Sequence, residues 1–174
     1  TVEREALRCK EIVGELLELG RSAHAFERDA VNLRELCDEV VADLRDSGQV
    51  PQASLSVEGR GEALGNRGKL RQVVLNLVKN GAEAAGSGGR VTVRVESSPE
   101  AVEVAVADDG PGIPPEARAR LFEPFFTTKP DGTGLGLAVS RSIARAHGGD
   151  LALRAGDAGG AVLTVRLPRG NGRA

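Results

Sequence analysis

The chain has 174 residues, 40% of them hydrophobic and 28% charged, with a formal net charge of −2. That length and balance fit one main globular domain with an additional element, and without a basic field no nucleic acid is expected as partner. Aromatic residues make up 2%, four Phe with no Trp or Tyr, which removes the stacking platform of a single-strand binder and requires an aliphatic core. Cys9 and Cys37 stand far apart with no CxxC spacing and read as reduced thiols. No apolar run approaches the ~18 residues of a membrane span, and no leader pattern is visible. The expectation is therefore a cytoplasmic piece with no membrane contact of its own, starting inside a helical pattern as an excised fragment does.

Residues 2–22 carry apolar or small side chains at Val2, Ala6, Cys9, Val13, Leu16 and Gly20. That three–four spacing is the seam of a helix that pairs with another helix, which predicts a partial bundle element over 1–24 and a homodimer through residues 2–20. A link with His24 and Phe26 follows. The spacing then predicts a helix over 32–46, capped by Asn32, with Leu33, Leu36, Cys37, Val40, Val41 and Leu44 on its apolar face. Leu55 and Val57 alternate as a short strand, and residues 67–85 form a third helix. Val91, Val93 and Val95 alternate, as do Val102, Val104 and Val106, an antiparallel hairpin. Pro114 opens a short helix as its N1 residue, ending near Leu121. A fourth helix covers 134–146, and Leu151 to Leu167 supply the last hairpin. These elements predict an α/β two-layer sandwich over 30–170: a mixed, mainly antiparallel sheet covered on one face by helices.

Three segments carry chemistry. On the third helix, Gln72, Asn76, Asn80 and Glu83 form a polar stripe opposite Leu70, Val73, Val74, Leu77 and Val78. Positions four apart stack on one side of a helix, so the amides of Asn76 and Asn80 can enter one cavity. Amide oxygens are hard neutral ligands suited to Mg²⁺; the plain alternative is a solvated helix face. Next, Asp108-Asp109-Gly110-Pro111-Gly112-Ile113 places a carboxylate at a strand end on a glycine turn. Gly110 and Gly112 admit close backbone approach, Ile113 is suited to packing on a ring, and Asp109 can simply face water. Finally, Gly132-Thr133-Gly134-Leu135-Gly136-Leu137 opens the fourth helix, where free N–H groups and the positive dipole end favour phosphate. Rival phosphate loops do not fit: Gly68-Lys69 lacks the earlier glycine and the Ser or Thr of a Walker A loop, and the 132–136 spacing is not G-x-G-x-x-G. Between the glycine turns, Leu121-Phe122-Glu123-Pro124-Phe125-Phe126-Thr127-Thr128-Lys129 reads as a core plug, a nucleotide lid or a docking patch.

The ordered set at Asn76/Asn80, at 108–113 and at 132–137 resembles the N, G1 and G2 boxes of the histidine kinases, within the wider ATP-binding superfamily of gyrase and the mismatch-repair ATPases. Residues 121–129 resemble that family's F box. The resemblance covers roughly 66–167. It implies a Bergerat-type fold with ATP and Mg²⁺ as cofactors. Asp108 is then assigned to the adenine N6 group and Asn80 to Mg²⁺. Asn76 and Lys79 become candidates for phosphate or metal-water contacts, and Thr128 and Lys129 lie near the phosphates, with Phe125 and Thr127 in the same lid. The implied activity is γ-phosphoryl transfer to a His on a phosphotransfer helix, with a response-regulator receiver domain as downstream partner. The family's acceptor is a His followed by an acidic residue. His24 precedes Ala25 and His147 precedes Gly148, so the chain is expected to lack the acceptor and not to phosphorylate itself. Hydrolases of the superfamily carry Glu one turn before the metal Asn, where this chain has Asn76, which argues against fast hydrolysis. The competing reading is a nucleotide-responsive regulatory module that binds ATP or ADP without transfer. At the fourth helix's end, His147 reads as C-cap chemistry.

Overall fold

The computed structural model describes residues 12–14, 16–17, 27–48, 50, 52–130, 132–156 and 159–169. Residues 12–14 and 16–17 are helical, with Val13, Leu16 and Leu17 exposed. The remainder of the 2–22 seam, with Cys9, His24 and Phe26, lies outside the described residues.

The elements run β1 (Asp29–Asn32), α1 (Leu33–Ser47), β2 (Ser54–Gly59), β3 (Glu62–Gly65), α2 (Arg67–Ala85), β4 (Arg90–Ser97), β5 (Ala101–Asp108), α3 (Pro115–Arg118), α4 (Gly136–Ala146), β6 (Asp150–Ala155) and β7 (Ala161–Pro168). The main sheet has the order β2-β4-β5-β7-β6. Its β2–β4 pair is parallel and the others are antiparallel. β1 and β3 form a separate antiparallel pair.

Local chemistry sets the helix bounds. Asn32 caps α1 by accepting from the Glu35 N–H at 3.2 Å, and Gly48 closes the helix in the left-handed region at φ 62°. Asn66 caps α2 by accepting from the Lys69 N–H at 3.0 Å. Such caps contribute about 1 kcal/mol each.

The core follows from period-two alternation in the strands and the apolar stripes of the helices. Val93, Val106, Leu163 and Leu153 line up across four strands by register. The valine and leucine side chains of this sheet face pack in one cluster with Leu36, Val40 and Leu44 of α1, Leu70, Val74 and Leu77 of α2, and Val139 and Ile143 of α4. Helices cover this one face. Cys37 lies in the cluster, where burial pushes its thiol up to about 12. It is a packed apolar group, not a reactive thiolate.

The structure departs from the sequence expectations at three places. β1 and β3 have four residues each, too few for alternation to show. The short helix has Pro114 as N-cap, with Pro115 as its first residue, and ends at Arg118. The fourth helix begins at Gly136, leaving Gly132, Thr133 and Gly134 in an irregular approach.

His147 occupies the C-cap of α4 and joins it to the start of α2. It is 1% exposed. Its Nδ1 lies 2.8 Å from the Ile143 carbonyl, and its Nε2 accepts from the Asn66 N–H at 3.1 Å. This pair of contacts requires a neutral ring protonated on Nδ1. Burial lowers its pKa, as does the Arg28 charge, against an opposing contribution from the Ile143 carbonyl. The folded chain therefore binds fewer protons than the unfolded chain below the ordinary value of 6.5. The stabilisation is complete above that value and is lost as pH falls toward the folded value. Denaturant unfolding from pH 8 to pH 5 checks this. The wild-type chain should lead His147→Gln at high pH, by about 1–3 kcal/mol, and the gap should narrow on acidification. A constant gap contradicts the neutral-ring assignment.

Candidate functional site

α2 brings the site together. Its apolar face (Leu70, Val73, Val74, Leu77, Val78) is buried, which fixes the helix's rotation and turns Asn76, Asn80 and Glu83 along one edge toward the loops that follow β5 and precede α4.

Asn76 does not join Asn80 in a common contact. Its Nδ2 donates to the Gly136 carbonyl at 3.2 Å and to Ser140 Oγ at 3.2 Å. Ser140 is fully buried and itself donates to the Gly136 carbonyl at 2.8 Å. Asn76 thus ties α2 to the first turn of α4. One turn further on, Asn80 Oδ1 accepts from Lys129 Nζ at 3.1 Å, and the same ammonium meets Glu83 Oε2 at 2.5 Å. An amide oxygen and a carboxylate oxygen already share one cation. The half-buried Lys79 lies beside Asn80.

Asp108 ends β5. Its Oδ1 accepts from the Gly110 N–H at 3.0 Å and from the Ala161 N–H at 3.4 Å. Among the described residues no protein donor is recorded on Oδ2. Burial raises the Asp108 pKa; the Gly110 and Ala161 N–H groups and the Lys129 charge oppose that rise. A half-buried carboxylate with one oxygen held and the other open is a directed acceptor. Asp109 is exposed but not idle, since its Oδ1 accepts from the Arg90 N–H at 2.7 Å.

The glycine turn rests on protein backbone. A Cβ at Gly110 would stand 2.6 Å from the Ala84 carbonyl oxygen, so the turn lies directly against the C-terminal part of α2. Gly160 (φ 74°) comes as close to Asp108: a Cβ there would be 1.9 Å from the Asp108 carbonyl oxygen. A Cβ at Gly112 would lie 3.1 Å from the Gly160 oxygen. Gly160 and Ala161 are site residues missing from the sequence expectations. Their only signal is a Gly-Gly pair before a strand, which reads equally well as a hairpin turn. Ile113 is half-buried, and its carbonyl accepts from Arg118 Nε at 2.9 Å.

The segment from 121 to 134 is a loop with a closed neck. The Phe125 N–H donates to the Gly134 carbonyl at 2.9 Å. Phe125 is the only non-glycine among the described residues at positive φ (67°), and its side chain is 61% exposed. Gly134 is at φ 70°, and a Cβ there would fall 2.5 Å from the Phe125 carbonyl carbon. The other two rings are covered: the Arg141 guanidinium lies 4.8 Å from the Phe122 centroid and that of Arg120 lies 4.5 Å from Phe126. A core plug and an exposed ring thus coexist, in Phe122 and Phe125. Within the loop, Thr127 Oγ1 accepts from the Lys129 N–H at 3.0 Å. Thr128 is exposed.

The N-terminus of α4 has no side-chain cap and no acidic residue in its first turn. Gly132, Thr133 and Gly134 lead into it, and the Leu135 N–H donates to Thr133 Oγ1 at 3.3 Å. The Leu135 side chain is fully buried and Leu137 packs on the core, and these two anchor the helix end. Uncapped N–H groups with a positive dipole end suit an anion. A depression of about 270 Å³ lined by Glu100, Asp150, Arg166 and Pro168 lies at the other end of β5 and contains none of these groups. Among the described residues no helix is long and apolar enough to cross a membrane.

Comparison with known proteins identifies the family. The profile of the histidine kinase-, DNA gyrase B- and HSP90-like ATPases matches residues 65–171. The sensor histidine kinase ZraS of Salmonella typhi is 38% identical over 169 residues, covering 95% of this chain and 36% of ZraS. The chain therefore spans little more than a third of that relative. The catalytic domain of histidine kinase ThkA superposes with a TM-score of 0.72 at 32% identity, covering 83% of this chain and 99% of that domain. ThkA in complex with the response regulator TrrA gives 0.78 at 28% identity, over 99% of this chain and 51% of ThkA. The chain belongs to the histidine kinase-, DNA gyrase B- and HSP90-like ATPase family, and within it is the ATP-binding catalytic domain of a sensor histidine kinase.

Proposed function

We propose that this domain binds Mg²⁺·ATP between α2, the 108–113 turn, the 121–134 loop and the α4 N-terminus, and transfers the γ-phosphoryl group to a His on a phosphotransfer helix. The observation that carries the reading is the convergence of three unlike groups along one edge of α2. These are an open carboxylate oxygen at Asp108, an oxygen pair already holding a cation at Asn80 and Glu83, and the uncapped end of α4 pinned by Asn76.

In this reading Asp108 accepts from the adenine N6 amine, with Ile113 against the ring and Gly110 and Gly112 shaping the turn. The backbone from Gly132 to Leu137 receives phosphate oxygens, and Thr127, Thr128, Lys129 and Lys79 supply donors and positive charge around them. Phe125 lies at the loop's neck with its ring exposed. Asn80 would hold Mg²⁺, which neutralises phosphate charge; the Lys129 ammonium already on Asn80 and Glu83 is a cation in such a donor set, so the residues fit a hard metal. The domain needs no base. A neutral imidazole nitrogen of the acceptor attacks the γ-phosphorus, the P–N bond forms as the bond to the β–γ bridging oxygen breaks, ADP leaves with that electron pair, and the ring's other nitrogen then releases its proton to water. The protein's contribution is positioning and charge neutralisation. Asn76, committed to α4 through its Nδ2, is no substitute for a carboxylate that orients water, which favours transfer over hydrolysis.

The acceptor helix, a homodimer through residues 2–20 and a response-regulator receiver domain are the expected partners. ThkA, a structural relative, forms such a complex with TrrA.

The test supplies a phosphotransfer hairpin in trans with γ-labelled ATP and Mg²⁺. Acid-labile, base-stable label should appear on its His. Asn80→Asp should lower the rate at least about 10- to 100-fold while the fold is retained, since even the outer-shell partners of metal ligands have effects of that order. Nucleotide binding with no label on the helix would contradict the kinase reading and leave a regulatory module.

A further inference from the structure

Lys129 is the cation of the 121–134 loop, and it is turned inward. Its Nζ bridges Asn80 Oδ1 (3.1 Å) and Glu83 Oε2 (2.5 Å), residues 49 and 46 positions away in the chain. Asn80 and Glu83 stand three apart on α2, so their oxygens come from the same side of the helix. The Lys129 backbone is held too: its N–H donates to Thr127 Oγ1, and its carbonyl accepts from the Gly132 N–H at 3.2 Å. The neck bond between Phe125 and Gly134 closes the segment on both sides of the lysine. A charge on a short, closed loop therefore clamps that loop to the helix beneath it.

The donor set around Nζ matters as much as the clamp. One amide oxygen and one carboxylate oxygen surrounding a unit positive charge are what a hard divalent cation would use from the protein side, completing its shell with water and phosphate. We infer that Lys129 is a latch: in the nucleotide-free domain its ammonium holds the metal's place at Asn80 and Glu83, and Mg²⁺·nucleotide has to displace it. The inference rests on Asn80 as the metal end of the proposed site. On displacement, Asn80 Oδ1 exchanges one cation for another, and the lysine charge is released toward the negative charge that the nucleotide brings. Metal occupancy and loop release become one event, so the loop is free only when metal and nucleotide are both present. The side chains of Lys129 and Glu83 are 40% and 33% exposed. Solvent screening at that exposure limits the latch to a modest effect, about two- to fivefold in an equilibrium.

The test compares wild type, Lys129→Gln, Glu83→Gln and the double variant. ADP, which has no γ-phosphate for the lysine to reach, is titrated calorimetrically with Mg²⁺ and with a chelator. Hydrogen–deuterium exchange of residues 125–134 is measured on the same four proteins without nucleotide. The latch predicts that the gain in ADP affinity from Mg²⁺ rises about two- to fivefold in Lys129→Gln. It also predicts that both single variants speed exchange of the loop, and that the double variant is no faster than either. An unchanged or smaller Mg²⁺ gain in Lys129→Gln overturns the proposal. So do exchange effects that add in the double variant. A wild-type domain that binds ADP with no gain from Mg²⁺ refutes the metal assignment of Asn80 and the competition with it. Loss of coupling in the exchange measurements, with the Mg²⁺ gain intact, refutes the latch alone.

Discussion

The rotation of α2 about its own axis positions the polar groups that this helix contributes to the site, Asn76, Asn80 and Glu83. That rotation is fixed by burial. Leu77 and Val78 are fully enclosed and Leu70, Val73 and Val74 nearly so, against a sheet face of valines and leucines. Turning the helix by one residue, about 100°, would lift this stripe out of the core at a cost of several kcal/mol of apolar burial. With the stripe fixed, Asn76, Asn80 and Glu83 have one direction available. Each meets a different element there: Asn76 the start of α4, Asn80 and Glu83 the lysine of the intervening loop. The backbone of Ala84 carries the Gly110 turn.

Around this rigid edge the remaining pieces differ in how firmly they are held. Asp108 is held by register, since β5 lies between β4 and β7 and ends where Ala161 begins the return strand. α4 is held at both ends, by the Asn76–Ser140–Gly136 hydrogen bonds and by the buried His147. The 121–134 loop is held at its start by Leu121 and Phe122 against the core, and beyond them by two guanidinium–ring contacts, the Phe125–Gly134 backbone bond and the Lys129 ammonium. Phe125 adds backbone strain, since a non-glycine residue at φ 67° costs of order 1–2 kcal/mol. Asp108 and α4 are thus fixed by the sheet and by buried hydrogen bonds, whereas part of the 121–134 loop rests on half-exposed contacts.

Much of the architecture was legible in the sequence because long amphipathic patterns report burial directly. α2 runs over the 67–85 expected from its stripe, Asn32 caps α1, and the valine alternation gives the central hairpin with its register. β1 and β3 were not legible: strands of four residues depend on a partner distant in sequence. The family was legible because its glycine turns recur in a fixed order around the Asn helix. The particular contacts were less so. Asn76 and Asn80 share a helix side, yet the Gly136 carbonyl takes one and Lys129 the other. Ala161 donates a backbone N–H, which no residue type advertises. Helical spacing says which side a side chain leaves from; only the packed neighbours decide what it meets.

The central claim is that the edge of α2 and the Asp108 turn form one adenine-nucleotide site, and it turns most directly on the two Asp108 oxygens. In Asp108→Asn the amide oxygen is drawn to the Gly110 and Ala161 N–H groups, so the amide nitrogen faces the ligand amine, donor against donor. Calorimetric titration with ATP in the presence of Mg²⁺ should give saturable one-to-one binding to the wild-type domain. Asp108→Asn should weaken it about tenfold or more, the loss of a hydrogen bond to a charged group. Equal affinity in the two proteins, or no binding to the wild type, would contradict the account.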